Sequence, residues 1–245
     1  GTYTLQWQSS ADNSAWADIP GATISDYSPQ QLSSGTYFRR RVTSGTYTPV
    51  YSNSVLITVS PQITLAQLRD NITIDNNTST NINVVITGGT SPFTVNYTRN
   101  GATQPAINNY LSAADFSTGV LTAGVYTYAL TSVTDANGCS AQNLGTSIIV
   151  TVTVNGNLTA GSVGSAQTVC FNSSPAPLTQ VTAPTGGTGT YTLQWQSSAD
   201  NSAWSDIPGA TISDYSPQQL SSTTYFRRTV NSGSYTPLYS NSVLI

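Results

Sequence analysis

Lysine, glutamate, histidine and methionine are all missing from this chain of 245 residues; every cation is an arginine and every anion an aspartate. Charged residues make up only 7% of it, against about 25% in an ordinary soluble domain. Each absence excludes something. Without histidine the usual general base and the commonest metal ligand are gone, and neither a Ser-His-Asp nor a Cys-His arrangement can be assembled. Without Lys, Glu and Met the strong helix formers are scarce. A net charge of −3, with no basic stripe beyond the short cluster Arg39–Arg41, offers no electrostatic footprint for nucleic acid. No apolar run approaches the roughly 18 residues of a membrane span. Cys139 and Cys170 are the only cysteines, too few for a disulfide framework. The strand pattern places them in different domains, so they are expected unpaired, as small buried hydrophobes.

What remains is rich in Ser, Thr, Asn, Val and Ile, with 14 Tyr, 4 Trp, 19 Gly and 12 Pro. Thr, Val, Ile and Tyr suit a pleated sheet, and Gly, Pro, Asn and Asp suit turns. The 38% hydrophobic content, set in alternating runs, argues against a disordered polar chain. The composition is all-β.

The strongest signal is internal. Gly1–Ile57 and Gly189–Ile245 read alike at a constant offset of 188 residues, without insertion. They differ only at Ala17/Ser205, Gly35/Thr223, Arg41/Thr229, Thr43/Asn231, Thr46/Ser234 and Val50/Leu238. Such a repeat points to a modular array. Joint-like stretches at Val59-Ser-Pro-Gln-Ile63 and Val154-Asn-Gly-Asn-Leu-Thr-Ala-Gly161 follow β-branched runs. They divide the chain into residues 1–60, the C-terminal part of a type A unit; 61–154, a complete type B unit; and 155–245, a nearly complete type A. Full units of about 90 residues fit Ig-like or PKD-like β-sandwiches in an extended tandem array. On this phasing residues 1–60 lack the strands corresponding to 155–188. They are expected as an open partial sandwich, or as one completed by neighbouring chain.

Alternation predicts the strands. In Tyr191-Thr-Leu-Gln-Trp-Gln196 the residues Tyr191, Leu193 and Trp195 face one way, and Trp195, like Trp7, suits the core Trp position of a sandwich. Further strands are expected at 210–215, 224–230 and 239–245. In type B they are expected at 82–87, 93–98, 125–133 and 147–154, with a tight turn at Asp135-Ala-Asn-Gly138. Tyr126 and Tyr128 alternate inward with Leu130, and one of them suits a tyrosine corner. One pattern fits badly. If Phe226 and Val230 face inward, Arg228 does too, so either a bulge or an arginine with a buried stem and its head at the rim is required.

The segments Gly88-Gly-Thr-Ser-Pro-Phe-Thr-Val-Asn-Tyr97, Asn100-Gly-Ala-Thr103, Leu121-Thr-Ala-Gly-Val-Tyr-Thr-Tyr128 and Val133-Thr-Asp-Ala-Asn-Gly-Cys139 resemble the SprB repeat of giant cell-surface adhesins of gliding Bacteroidetes. Type A, through Gly164–Asn172, Ala183–Ser198 and Thr224–Arg228, is similar to Ig-like modules of the same proteins. The resemblance implies type IX secretion, long surface filaments, attachment to substrata or polysaccharide surfaces, and gliding motility. It also implies contact with the outer-membrane secretion and gliding machinery through regions outside this sequence. Many such modules carry a second Cys where this chain has Tyr47 and Tyr235, which leaves Cys170 without the partner that the resemblance implies.

Few residues carry chemistry. Asp12, Asp18 and Asp26, their copies Asp200, Asp206 and Asp214, and Asp70, Asp75 and Asp135 lie in turn-like contexts, where Asp bonds its own backbone. Catalysis and cofactors are not expected. Calcium is a weak candidate at Asp70 and Asp75, which sit beside the first joint but lack the spacing of a calcium loop. Trp16 and Trp204 are either core-packing aromatics at a sandwich edge or stacking platforms for sugar. The sequons at Asn71, Asn77, Asn96, Asn157 and Asn172 are by-products of Asn and Thr richness. The leading expectation is an extracellular, cell-surface stalk segment of an adhesin; the alternatives are a carbohydrate-binding module array and an accessory region of a secreted hydrolase.

Overall fold

The structure is a computed structural model describing residues 2–142, 144–164 and 166–245. The described residues contain strands, turns and bends but no helix. They form a tandem array of Ig-like sheets.

The first sheet comprises Thr4–Ser10 (β1), Ala17–Asp18 (β2), Thr36–Thr43 (β3), Val50–Tyr51 (β4) and Val55–Ile57 (β5). Its order is β2-β1-β3-β4, with β5 also pairing β3, all antiparallel. Among the described residues no second sheet covers it, and Val55 is 55% exposed. Trp7 is accordingly only half-buried and does not occupy a closed core.

The middle unit closes two sheets over one core. One holds Ile72–Ile74 (β7), Phe93–Arg99 (β9), Ala102–Thr103 (β10), Ile107–Tyr110 (β11), Gly124–Thr134 (β13) and Ile149–Val154 (β14), in the order β10-β9-β13-β14-β7, with β11 also on β9. The other holds Ile63–Leu68 (β6), Asn81–Gly88 (β8) and Asp115–Ser117 (β12), in the order β12-β8-β6. The opening segment changes sheets: β6 pairs β8 antiparallel, and β7 then pairs β14 in parallel. Ala66, Val84, Val95, Val133 and Val152 are fully buried between the sheets. Within β13 the buried positions run Tyr128, Leu130, then Val133, because a bulge between Leu130 and Ser132 shifts the alternation by one. Tyr126 makes the tyrosine-corner contact, donating from its hydroxyl to the Thr122 carbonyl at 3.1 Å. Tyr110 ties the second sheet together: its hydroxyl accepts from the Val84 N–H at 2.7 Å and donates to the Ala114 carbonyl at 2.6 Å.

The last unit repeats the first sheet. Thr192–Ser198 (β17), Ser205–Asp206 (β18), Tyr225–Asn231 (β19), Leu238–Tyr239 (β20) and Val243–Leu244 (β21) follow the same order, and Trp195 lies opposite Arg228 as Trp7 lies opposite Arg40. Here a small sheet of Ser162–Val163 (β15) and Gln180–Thr182 (β16) belongs to a segment laid over the inner face. Val163 and Leu178 pack with Trp195, Phe226, Val243 and Ile245, and Leu158 and Ala160 pack with Val230. Trp195 is wholly buried, and its indole N–H donates to the Ile212 carbonyl.

Five expectations need correction. The strand expected at 239–245 is two short ones, β20 and β21, with no strand at 240–242. Residues 210–215 are not a strand; they are a bend, with an isolated bridge at Tyr215 to Leu178 and with Ile212 70% exposed. Asp214 accepts from the Gln180 N–H of the covering segment, while the Ser213 carbonyl accepts from Arg228 of β19. The last strand of the middle unit starts at Ile149, not Ser147, so the Asp135–Gly138 turn leads first to a short bridge between Thr134 and Ser140. Cys139 and Cys170 are unpaired but exposed, not buried, each lying in a turn-rich loop. Finally, β19 has no bulge, and Arg228 is buried to its head rather than reaching the rim.

Candidate functional site

The most built-up polar surface occurs twice, on the outer faces of the two related sheets. Register aligns Asp18, Gln8 and Arg39 in one row across β2, β1 and β3. Gln8 bridges its neighbours, donating from Nε2 to Asp18 Oδ1 at 2.7 Å and accepting at Oε1 from Arg39 Nε at 2.8 Å. The Arg39 guanidinium then lies between two aromatic faces, 4.1 Å from the ring centres of both Trp16 and Tyr51. The second copy keeps the arrangement: Gln196 joins Asp206 and Arg227, and Arg227 lies 4.2 Å from Trp204 and 3.8 Å from Tyr239. Guanidinium–aromatic stacks of this kind contribute about 0.5–1 kcal/mol each at exposed sites. The first copy adds an Arg41–Asp18 ion pair at 2.8 Å, lost in the second where Thr229 replaces Arg41. Half-exposed, that pair adds little.

Trp16 and Trp204 therefore lie outside the hydrophobic clusters, half-buried against arginine rather than packed at a sandwich edge. The indole face turned to the guanidinium is occupied, which leaves only the opposite face for a sugar ring. Sequence reading singled out the two tryptophans but missed Arg39, Arg227, Tyr51 and Tyr239. The available signal was the outward phase of Arg39 on the same strand as inward Phe38.

Four aspartates, Asp12, Asp135, Asp200 and Asp214, accept from backbone N–H groups. Asp12 Oδ1 accepts from the Ser14 and Ala15 N–H groups, and Asp200 Oδ1 does the same from Ser202 and Ala203. These bonds, with hydroxyls of neighbouring serines, hold the Asp12 carboxyl well below the usual range and lower that of Asp200. Burial alone would raise Asp135, but N–H groups of Cys139, Thr90 and Asn137 outweigh it and keep that carboxylate low. Asp135 thus pins the 88–92 loop to the 135–139 turn. Asp214 accepts from the Gln180 N–H at 2.8 Å.

Strand β7 separates the calcium candidates, placing Asp70 and Asp75 on the order of 15 Å apart at about 3.3 Å per residue. Asp70 is exposed with φ of 55°, whereas Asp75 accepts from Asn155 Nδ2 at 3.2 Å. The structure does not bring them together. Among the described residues no group of three or more Cys or Asp side chains could hold a metal. The concavities are shallow. One of about 670 Å³ between the first sheet and the middle unit is lined by residues 31–35 and 59–62, with no ionisable side chain among them.

The repeated sheets are also what a family comparison detects. A family described as a domain of unknown function, DUF8696, matches residues 1–61 and 159–245. The chain belongs to this family. The DUF8696 match leaves out the middle unit and spans both copies of the Trp–Arg–Tyr stack together with the segment covering the second. Among solved structures, the chain is similar to domains A168–A170 of titin, with 12% identity over 98% of this chain and 87% of that one and a TM-score of 0.43. It is also similar to the FN1–FN3 domains of chicken CNTN1, at 12% identity, 99% and 88% coverage and a TM-score of 0.35. The fibronectin(III)-like modules of Clostridium thermocellum CbhA match at 10% identity, 73% and 90% coverage and a TM-score of 0.31. No curated protein matches the chain.

Proposed function

We propose that this chain is a spacer segment of a long extracellular adhesin of the SprB-repeat kind, exported by type IX secretion and displayed at the surface of a gliding bacterium. One observation carries the reading: the same sheet, with the same register and outer-face stack, recurs on either side of a middle unit. Such an architecture supplies reach. A sandwich with strands of up to a dozen residues spans on the order of 40 Å at about 3.3 Å per residue. Low charge density and a hydroxyl-rich surface suit a rod that repeats without sticking to its neighbours. The resemblance of type B to the SprB repeat supports the adhesin part of the reading, and catalysis has no place in it.

The test is deletion of one 188-residue period from the full-length protein in its native host. A spacer predicts surface filaments shorter by one period in electron micrographs, with attachment to glass retained. Complete loss of attachment with filaments still displayed would overturn the reading.

A second reading, glycan binding at the outer-face stacks, draws on the repeated half-exposed Trp16 and Trp204 beside Gln and Asp side chains. It predicts glycan-array binding that disappears in Trp204→Ala with the circular dichroism spectrum unchanged.

A further inference from the structure

The inner face of the first sheet is one of two copies of a single surface, and only the other copy is covered. In the last unit, residues 157–164 and 166–188 form the lid. Val163 exchanges two hydrogen bonds with the Asn241 side chain, at 2.9 and 2.8 Å. Leu178 exchanges backbone bonds with Tyr215, and the Gln180 N–H donates to Asp214. Arg228 donates to Gln180 Oε1 and the Ala160 carbonyl from beneath. At the offset of 188 every one of these receiving groups recurs unchanged: Asn53, Tyr27, Asp26 and Arg40. The inward apolar positions recur too, Trp7, Phe38, Val42, Val55 and Ile57 standing for Trp195, Phe226, Val230, Val243 and Ile245. None of the six substitutions between the copies falls on these positions.

Exposure records the difference. Val55 is 55% exposed and Val243 5%; Ile57 is 37% exposed and Ile245 8%. Arg40 keeps its bond to the Ser25 carbonyl at 3.0 Å, as Arg228 keeps the equivalent bond to Ser213. The first sheet thus keeps the receptor geometry, which the described residues leave uncovered.

We propose that the open face of the first sheet binds a polypeptide segment with the sequence of residues 157–188, in the same pose that this segment adopts over the second. This inference is independent of the adhesin reading, since it concerns one surface and its complement. It commits to a peptide that presents Leu158, Ala160, Val163 and Leu178 inward, with Gln180 placed to meet a guanidinium.

The experiment titrates a synthetic peptide of residues 155–188 into the 245-residue chain. Calorimetry should show one peptide bound per chain, because the second face is occupied. The fraction of tryptophan emission quenched by acrylamide should fall as Trp7 becomes covered. A peptide carrying Leu178→Asp should not bind. Should the free peptide aggregate, the same residues fused directly ahead of Gly1 provide the second measurement, and Trp7 should then be as protected as Trp195. The proposal is overturned if neither the peptide nor the fused segment protects Trp7. It is equally overturned if the Leu178→Asp peptide binds as well as the parent, or if the chain dimerises through this face and the peptide fails to dissociate the dimer.

Discussion

At the scale of single residues, Arg228 is the costliest group in the last unit. It is fully buried, and burial pulls its guanidinium below the ordinary arginine range, with the Asp214 charge opposing. It is held by the Ser213 and Ala160 carbonyls and by Gln180 rather than by a carboxylate in contact. Removing it strands the buried Ala160 carbonyl, at about 1–3 kcal/mol, and empties the space its fully buried stem fills. Arg228→Ala should therefore destabilise the unit by about 3 kcal/mol or more, whereas Arg40→Ala, at a half-buried site with a hydrogen bond to Ser25 and the Trp7 ring 6.0 Å away, should cost about 1 kcal/mol. Urea denaturation of the two variants, followed at tryptophan, measures the contrast. The carboxylates make a second prediction. Asp12, Asp135 and Asp200 are lowered in the folded state. Their contribution is therefore complete above the unfolded value of about 4 and disappears as pH falls through the depressed folded values. With no His or Glu side chain to titrate, the melting temperature should be level between about pH 5 and 8 and drop only in acid. Asp135→Asn should lower the plateau and flatten the acid limb.

Elements explain what the sequence could reveal. Strands with period-two alternation were legible, among them β8 and β9, because burial on one face leaves that pattern directly in the residues. Residues 210–215 alternate as well, yet Asp214 caps an N–H of the covering segment and the backbone bends to present it. A local pattern cannot show a partner more than thirty residues away. The Trp16–Arg39–Tyr51 stack was hidden for the same reason, since it exists only once β1, β2, β3 and β4 are in register. Arg228 sat in plain view as a misfit of phase, and its resolution needed Ala160 and Gln180, which arrive from elsewhere in the chain. Gly186 is legible only in space. Its φ is +73° and an added Cβ would meet the Asn157 carbonyl oxygen. Gly186→Ala should cost at least about 1–2 kcal/mol from the left-handed backbone alone, read as a lower melting temperature of the last unit by calorimetry.

For the whole molecule, the joint between the middle and last units is defined by polar side chains. Asn76 Nδ2 donates to Asn157 Oδ1 at 2.9 Å, Asn155 Nδ2 reaches Asp75 at 3.2 Å, and the Ser234 hydroxyl approaches Asp75 at 3.4 Å. Tyr235 lies alongside, its hydroxyl pushed up by burial and by the Asp75 carboxylate. Exposed hydrogen bonds of this kind are each worth about 0.5–1.5 kcal/mol, enough to bias an angle without fusing two units. Asp75→Ala should leave both unfolding transitions within about 1 kcal/mol of the parent while broadening the interunit distance distribution in small-angle scattering. An unchanged distribution would show that the joint is set by the backbone instead.

The parallel pairing of β7 with β14 has one more consequence. Val152, Thr153 and Val154 run alongside Ile72, Thr73 and Ile74, joining the opening and closing segments of the middle unit. When the chain is pulled from both sides of the middle unit, the load enters at one end of this pair and leaves at the other. The hydrogen bonds between the two strands are then sheared together instead of being unzipped one at a time. The middle unit is thereby wired as a tension clamp, its resistance concentrated in a three-residue ladder.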